Sequence, residues 1–158
     1  MALTKEDFFF NSQKGVAVGF ALPHEDGDLR HMRVIELEAL NRRYDASKVA
    51  TDVIASLGNK PAPRHFQRGE QLARLFDDYS QNDTLIVIVI RSAHLLAPRT
   101  INHLRVMTEL SNFGFRKYWP AIILLGHVDQ IERSVRRYPG VLMRSLSMPV
   151  PKPRLIKC

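Results

Sequence analysis

Thr84-Leu-Ile-Val-Ile-Val-Ile-Arg-Ser-Ala-His-Leu-Leu96 is the stretch on which the fold turns. From Leu85 to Ile90 it is apolar at every position instead of alternating. A strand with this pattern has both faces covered, as in a parallel sheet packed against helices. The spacing of its neighbours supports that reading.

Downstream, Pro98 suits the first turn of a helix. Ile101, Leu104, Met107, Thr108 and Leu110 continue it, and Gly114 can stop it. Pro120 then opens a second apolar run, Ala121 to Leu125, followed by a short helix over Asp129 to Arg137 and a final strand within Leu142 to Val150. Upstream, Lys14 to Leu22 reads as a first strand and Met32 to Leu37 as another, separated by turn-forming residues from Pro23 to Asp28. Asp45 to Leu57 carries Val49, Val53, Ile54 and Leu57 at helical spacing, with Asp45 as N-cap and Gly58 just past the end. Phe66 to Tyr79 places Leu72, Leu75, Phe76 and Tyr79 on one face of a further helix. Strands alternating with helices predict a single three-layer α/β domain over residues 1–150, its sheet mostly parallel with helices on both faces. Residues 151–158 form a proline-interrupted basic tail.

The apolar strand, the following Arg91-Ser92-Ala93-His94-Leu95-Leu96, the helix from Thr100 and the second strand Ile122-Ile123-Leu124-Leu125-Gly126-His127 together resemble the Walker B region of AAA+ ATPases. The resemblance is to the branch of the phage Mu B protein, the TniB and TnsC transposition ATPases and the ExeA proteins. That branch reads as an apolar strand, DEAH with two apolar residues, a helix, and a second strand ending in Leu-Gly-Gln. It covers roughly the second half of the chain and implies a P-loop-NTPase-like sheet. Where it implies a metal-binding Asp and a catalytic Glu, this sequence has Arg91 and Ser92, and His127 stands where the branch carries a polar sensor of the γ-phosphate. No Gly-Lys-Ser/Thr occurs anywhere, so the phosphate cradle is missing, and Glu25, Asp26 and Asp28 after the first strand would repel a triphosphate. The resemblance thus implies a degenerate nucleotide site at Arg91, Ser92 and His127, a pseudo-ATPase with no cofactor, and a core without the helical lid domain.

The chain has 158 residues, 45% hydrophobic and 25% charged, as for a globular domain with a real core. Its formal charge of +7 favours a polyanionic partner such as nucleic acid. The cations gather late in the sequence, at Arg133, Arg136, Arg137, Arg144, Lys152 and Arg154, which are the candidate nucleic-acid contacts. No apolar run approaches the roughly 18 residues of a membrane span, and Glu6 and Asp7 do not suit a signal peptide, so no membrane insertion and a cytoplasmic location are expected. The single cysteine, Cys158, can form no internal disulfide.

Other chemistries fit less well. His94, His103 and His127 are too scattered for a recognisable zinc motif, and Ser92 lacks the glycines of a G-x-S-x-G elbow. Asp77 and Asp78 are adjacent on a helix and read as solvated surface acids. Arg91 either reaches solvent at the sheet rim or pairs with an acid of the 23–28 loop. The function expected is therefore a non-catalytic accessory or regulatory protein of a DNA transaction, such as transposition or replication of a mobile element. It would bind DNA, associate with itself or engage an AAA+ ATPase partner. The alternatives are an ExeA-like envelope or secretion factor and an enzyme of another α/β family.

Overall fold

The computed structural model describes residues 16–20, 31–111, 116 and 118–141. Within them the chain runs β1 (Val16–Phe20), β2 (His31–Glu38), α1 (Ala46–Ser56), α2 (His65–Gln81), β3 (Thr84–Arg91), a 3₁₀ turn (Ala93–Leu95), α3 (Pro98–Glu109), β4 (Ala121–Leu125) and α4 (Val128–Arg136). The sheet order is β1-β4-β3-β2. The apolar stretch of β3 lies in the interior of the sheet, parallel to β2 on one side and to β4 on the other. The expected final strand within 142–150, the tail and the 23–28 loop lie outside the described residues.

One face of the sheet carries Ile35, Leu37, Ile86, Ile88, Ile90, Ile122 and Leu124. All four described helices bury residues against it, including Val53 of α1, Phe76 of α2, Leu104 of α3 and Ile131 of α4. On the other face Leu85, Val87, Ala121 and Ile123 form a smaller cluster with Tyr118, to which no described helix contributes. Both faces of β3 are thus covered along most of its length, which accounts for its unbroken apolar pattern. The described residues make two layers. At the edge, β2 alternates: Ile35 and Leu37 point inward while Val34, Glu36 and Glu38 stay exposed.

The helices begin where their sequences dictate. Asp45 caps α1 by accepting the Lys48 N–H at 3.0 Å, and Gly58 follows with φ +81, a left-handed conformation that favours glycine. Pro98 opens α3, where its missing N–H costs nothing.

β1 pairs antiparallel with β4, Val16 facing Leu125 and Phe20 facing Ile122. Its carboxyl end therefore lies at the amino edge of the parallel strands, away from Arg91.

Asp77 corrects the sequence reading. Asp78 is exposed as expected, but Asp77 is buried and ion-paired to Arg116, with Arg116 Nε 2.8 Å from Asp77 Oδ1. The same guanidinium donates to the carbonyls of Thr108 (3.0 Å), Ala73 (3.3 Å) and Leu110, and Ser111 Oγ donates to Asp77 Oδ1 at 2.8 Å. It also lies over the Trp119 and Phe76 rings, 4.7 and 5.6 Å from their centroids. Burial pulls the Arg116 pKa down, and the hydrogen bond and charge of Asp77 oppose the shift. The partner is 39 positions away in sequence. Adjacency to Asp78 could not disclose it.

Asp77→Ala is expected to lower unfolding free energy by about 3–5 kcal/mol, because it leaves a buried guanidinium without its counter-charge. Asp77→Leu/Arg116→Met removes both charges and is expected to be the more stable of the two variants. Chemical denaturation of both against the wild type measures this.

Candidate functional site

The carboxyl ends of β2, β3 and β4 bring most of the distinctive side chains to one edge of the sheet. Arg91, the last residue of β3, is ion-paired to Glu36 of β2 at 3.3 Å. Its described partner comes from the neighbouring strand, and the pair lies at the solvent rim, its side chains 56% and 60% exposed; the 23–28 loop lies outside the described residues. Such a pair contributes at most about 1 kcal/mol. Next to it, Ser92 Oγ donates to Glu38 Oε1 at 2.5 Å, from a backbone held at φ 54, ψ 34. A left-handed serine is uncommon and costs about 1 kcal/mol or more. Here it turns the chain sharply from β3 into the 3₁₀ turn, where the Ser92 carbonyl accepts the Leu95 N–H at 3.0 Å.

His127 does not join Arg91 and Ser92 in any described contact. Its ring meets that of His94, centroids 4.4 Å apart and planes at 66°. The His127 backbone N–H donates to His94 Nδ1 at 3.3 Å, which requires Nδ1 to be unprotonated. Gly126 makes this approach possible: it has φ +154, and a Cβ there would sit 2.5 Å from His94 Nδ1 and 3.3 Å from the Ala93 and His94 nitrogens. The three residues of the expected nucleotide site thus fall into two arrangements, one built with β2 acids and one with a second histidine. His103 is exposed on α3. Among the described residues no group of three or more His, Cys, Asp or Glu could hold a metal ion, and no helix is long and apolar enough to cross a membrane.

On α4, Ile131 and Val135 are buried while Arg133, Arg136 and the following Arg137 are exposed. The helical period sets these arginines on the side away from the core. Two of them stand in the last turn, where cations also suit the helix dipole. Arg144, Lys152 and Arg154 lie outside the described residues.

A feature absent from the sequence reading is a cleft of about 260 Å³ at the end of β2, lined by Leu40, Asn41, Tyr44, Lys48, Thr51 and Asp52. Tyr44 is buried, and its hydroxyl donates to Asp52 Oδ2 at 2.5 Å. Burial first, then Asp52, raises the Tyr44 pKa well above that of a free phenol. The one sequence signal was the (i, i+8) Tyr-Asp spacing across the start of a helix, which names no chemistry by itself.

No protein-family model, curated protein or solved structure matches this chain.

Gly126→Ala is expected to destabilise the protein by about 1–3 kcal/mol through backbone strain and the clash with His94. Adding His94→Ala should recover only part of the loss, because it relieves the imidazole contact and leaves φ +154 and the Ala93 nitrogen in place. Urea denaturation of the single and double variants separates the two contributions.

Proposed function

We propose that this chain is a non-catalytic nucleic-acid-binding protein that serves as an accessory or regulatory factor in a DNA transaction. The observation that carries the reading is α4: it buries Ile131 and Val135 and turns Arg133, Arg136 and Arg137 to solvent, in a chain of net charge +7. Exposed guanidiniums on a helix and at its C-cap bind phosphates and release their counterions, a contact that needs no base sequence.

The residues at the end of β3 support a non-catalytic role. Where an ATPase of the resembling branch has carboxylates for Mg²⁺ and water, this chain offers the Arg91 guanidinium already engaged by Glu36, and the Ser92 hydroxyl engaged by Glu38. Arg91 would repel a divalent cation. Antiparallel β1 also sends its carboxyl end to the opposite edge of the sheet. In an active P-loop enzyme the phosphate cradle follows a strand that ends beside the metal-binding acid.

Two measurements test the proposal. Titration calorimetry with Mg²⁺-ATP is expected to show no micromolar binding, and phosphate-release assays no turnover; turnover abolished by changing Arg91 would overturn the non-catalytic reading. Arg133→Ala/Arg136→Ala/Arg137→Ala is expected to weaken duplex DNA binding to a similar extent across sequences. It should also flatten the slope of log K against log salt by roughly two to three, since each phosphate contact contributes about 0.9. An unchanged slope in the triple variant would place binding elsewhere.

A further inference from the structure

Arg68 joins two stretches that are far apart in sequence. Its guanidinium donates to Ser47 Oγ in the first turn of α1 at 2.7 Å, and to the Ala62 and Pro63 carbonyls at 3.1 and 3.0 Å. The starts of α1 and α2 are thereby clasped side by side. Around the clasp Arg42, Arg43 and Lys48 are exposed on the α1 side and Arg64 on the α2 side. The acids in residues 40–52 are Asp45 and Asp52, and 62–68 has none. Asp45 is committed to capping α1, and Asp52 accepts the Tyr44 hydroxyl. Arg42, Arg43, Lys48, Arg64 and Arg68 outnumber these two acids, and exposed Glu70 stands one turn beyond Phe66 on α2.

Two large apolar side chains stand in water on these same stretches, Leu40 and Phe66, each 73% exposed. Phe66 is in the first turn of α2, two residues from Arg64 and two from Arg68. Leu40 lines the cleft with Tyr44 and Lys48, at the start of α1. Exposed cations and an exposed aromatic ring at two joined helix starts match what an unpaired strand offers: phosphates at intervals and base faces open to stacking. A duplex hides its base faces, so it gives Phe66 nothing to cover.

We propose that the joined starts of α1 and α2 bind single-stranded nucleic acid, Arg42, Arg43 and Arg64 taking phosphates and Phe66 stacking on a base. This rests on the nucleic-acid reading of the preceding section and adds the strandedness of the ligand and a second contact surface. Leu40 and the cleft give the adjoining nucleotide an apolar wall, with Lys48 at its margin.

Fluorescence anisotropy of the full chain, with labelled oligo-dT of about twenty nucleotides and a duplex of equal length, tests this at two salt concentrations. Oligo-dT is expected to bind more tightly than the duplex. Phe66→Ala should weaken oligo-dT binding about tenfold with an unchanged salt slope, and Phe66→Trp should restore it. Arg42→Ala/Arg43→Ala should flatten the slope by about 1.4, two contacts at about 0.7 each on a single strand. These side chains are exposed, so the variants are expected to keep the wild-type melting temperature. Equal or tighter binding of the duplex, or unchanged binding in both variants while the α4 triple variant loses it, would overturn this inference and leave the proposed function standing. No binding of either nucleic acid would remove both.

Discussion

A single buried guanidinium fixes the relation between the helical layer and the sheet. Arg116 bonds Asp77 and the Ala73 carbonyl of α2, and the Thr108 and Leu110 carbonyls at the end of α3. These acceptors lie in different directions, and only arginine presents five donors in a rigid plane to meet them. Its bonds to Thr108 and Leu110 also satisfy carbonyls that the end of a helix leaves without intrahelical partners. Two residues later the Tyr118 N–H donates to Ser80 Oγ of α2 at 2.8 Å, and the chain then enters β4. The cost of burying the charge is thus offset by bonds that place a strand.

That placement reaches the far edge of the sheet. Entering where Tyr118 and Arg116 hold it, β4 pairs with β3 from Val87↔Ala121 to Ile90↔Leu124. A slip of one residue would turn Ile122 and Leu124 out of the main core, so the register is strongly determined. Counted forward from it, Gly126 and His127 arrive beside the 3₁₀ turn that carries His94. The histidine contact at one edge depends on a polar knot near the other.

Much of this order was readable from residue pattern. The apolar run of β3, the Asp45 cap, Pro98 at the start of α3 and the period of Leu72 and Phe76 are local signals, and the elements appear where those signals put them. Pairings were not readable. The polarity of β1 is decided by which strand it meets, the partner of Arg91 by a neighbour 55 positions away, and the burial of Asp77 by a loop arginine. The surface of the helical layer illustrates the same limit: Arg133, Arg136 and Arg137 stand out because they are close in sequence, whereas the starts of α1 and α2, with Arg42 and Arg43 on one side and Arg64 on the other, are joined by Arg68 and Ser47, 21 positions apart.

Glu36 and Glu38 lie on the other side of the sheet from the arginine clusters, although the helical layer also exposes acids of its own, Glu70 and Asp78 on α2 and Asp129 and Glu132 on α4. Glu36 and Glu38 point from β2 to the side opposite Ile35 and Leu37, away from the helices that cover the main core. The exposed arginines of α4 and those at the starts of α1 and α2 belong to the helical layer. Over distances within the Debye length, about 8–10 Å at ordinary ionic strength, each side acts largely through its own charges. Under the proposed function a phosphate backbone would meet the arginine clusters of the helical layer between that layer's own acids, while Glu36 and Glu38 would repel it from the other face. Arg91 fits this division, because its pairing with Glu36 cancels one acid and adds no free cation to that side. Its replacement by a carboxylate would strengthen the repulsion there and leave the helical surface unchanged.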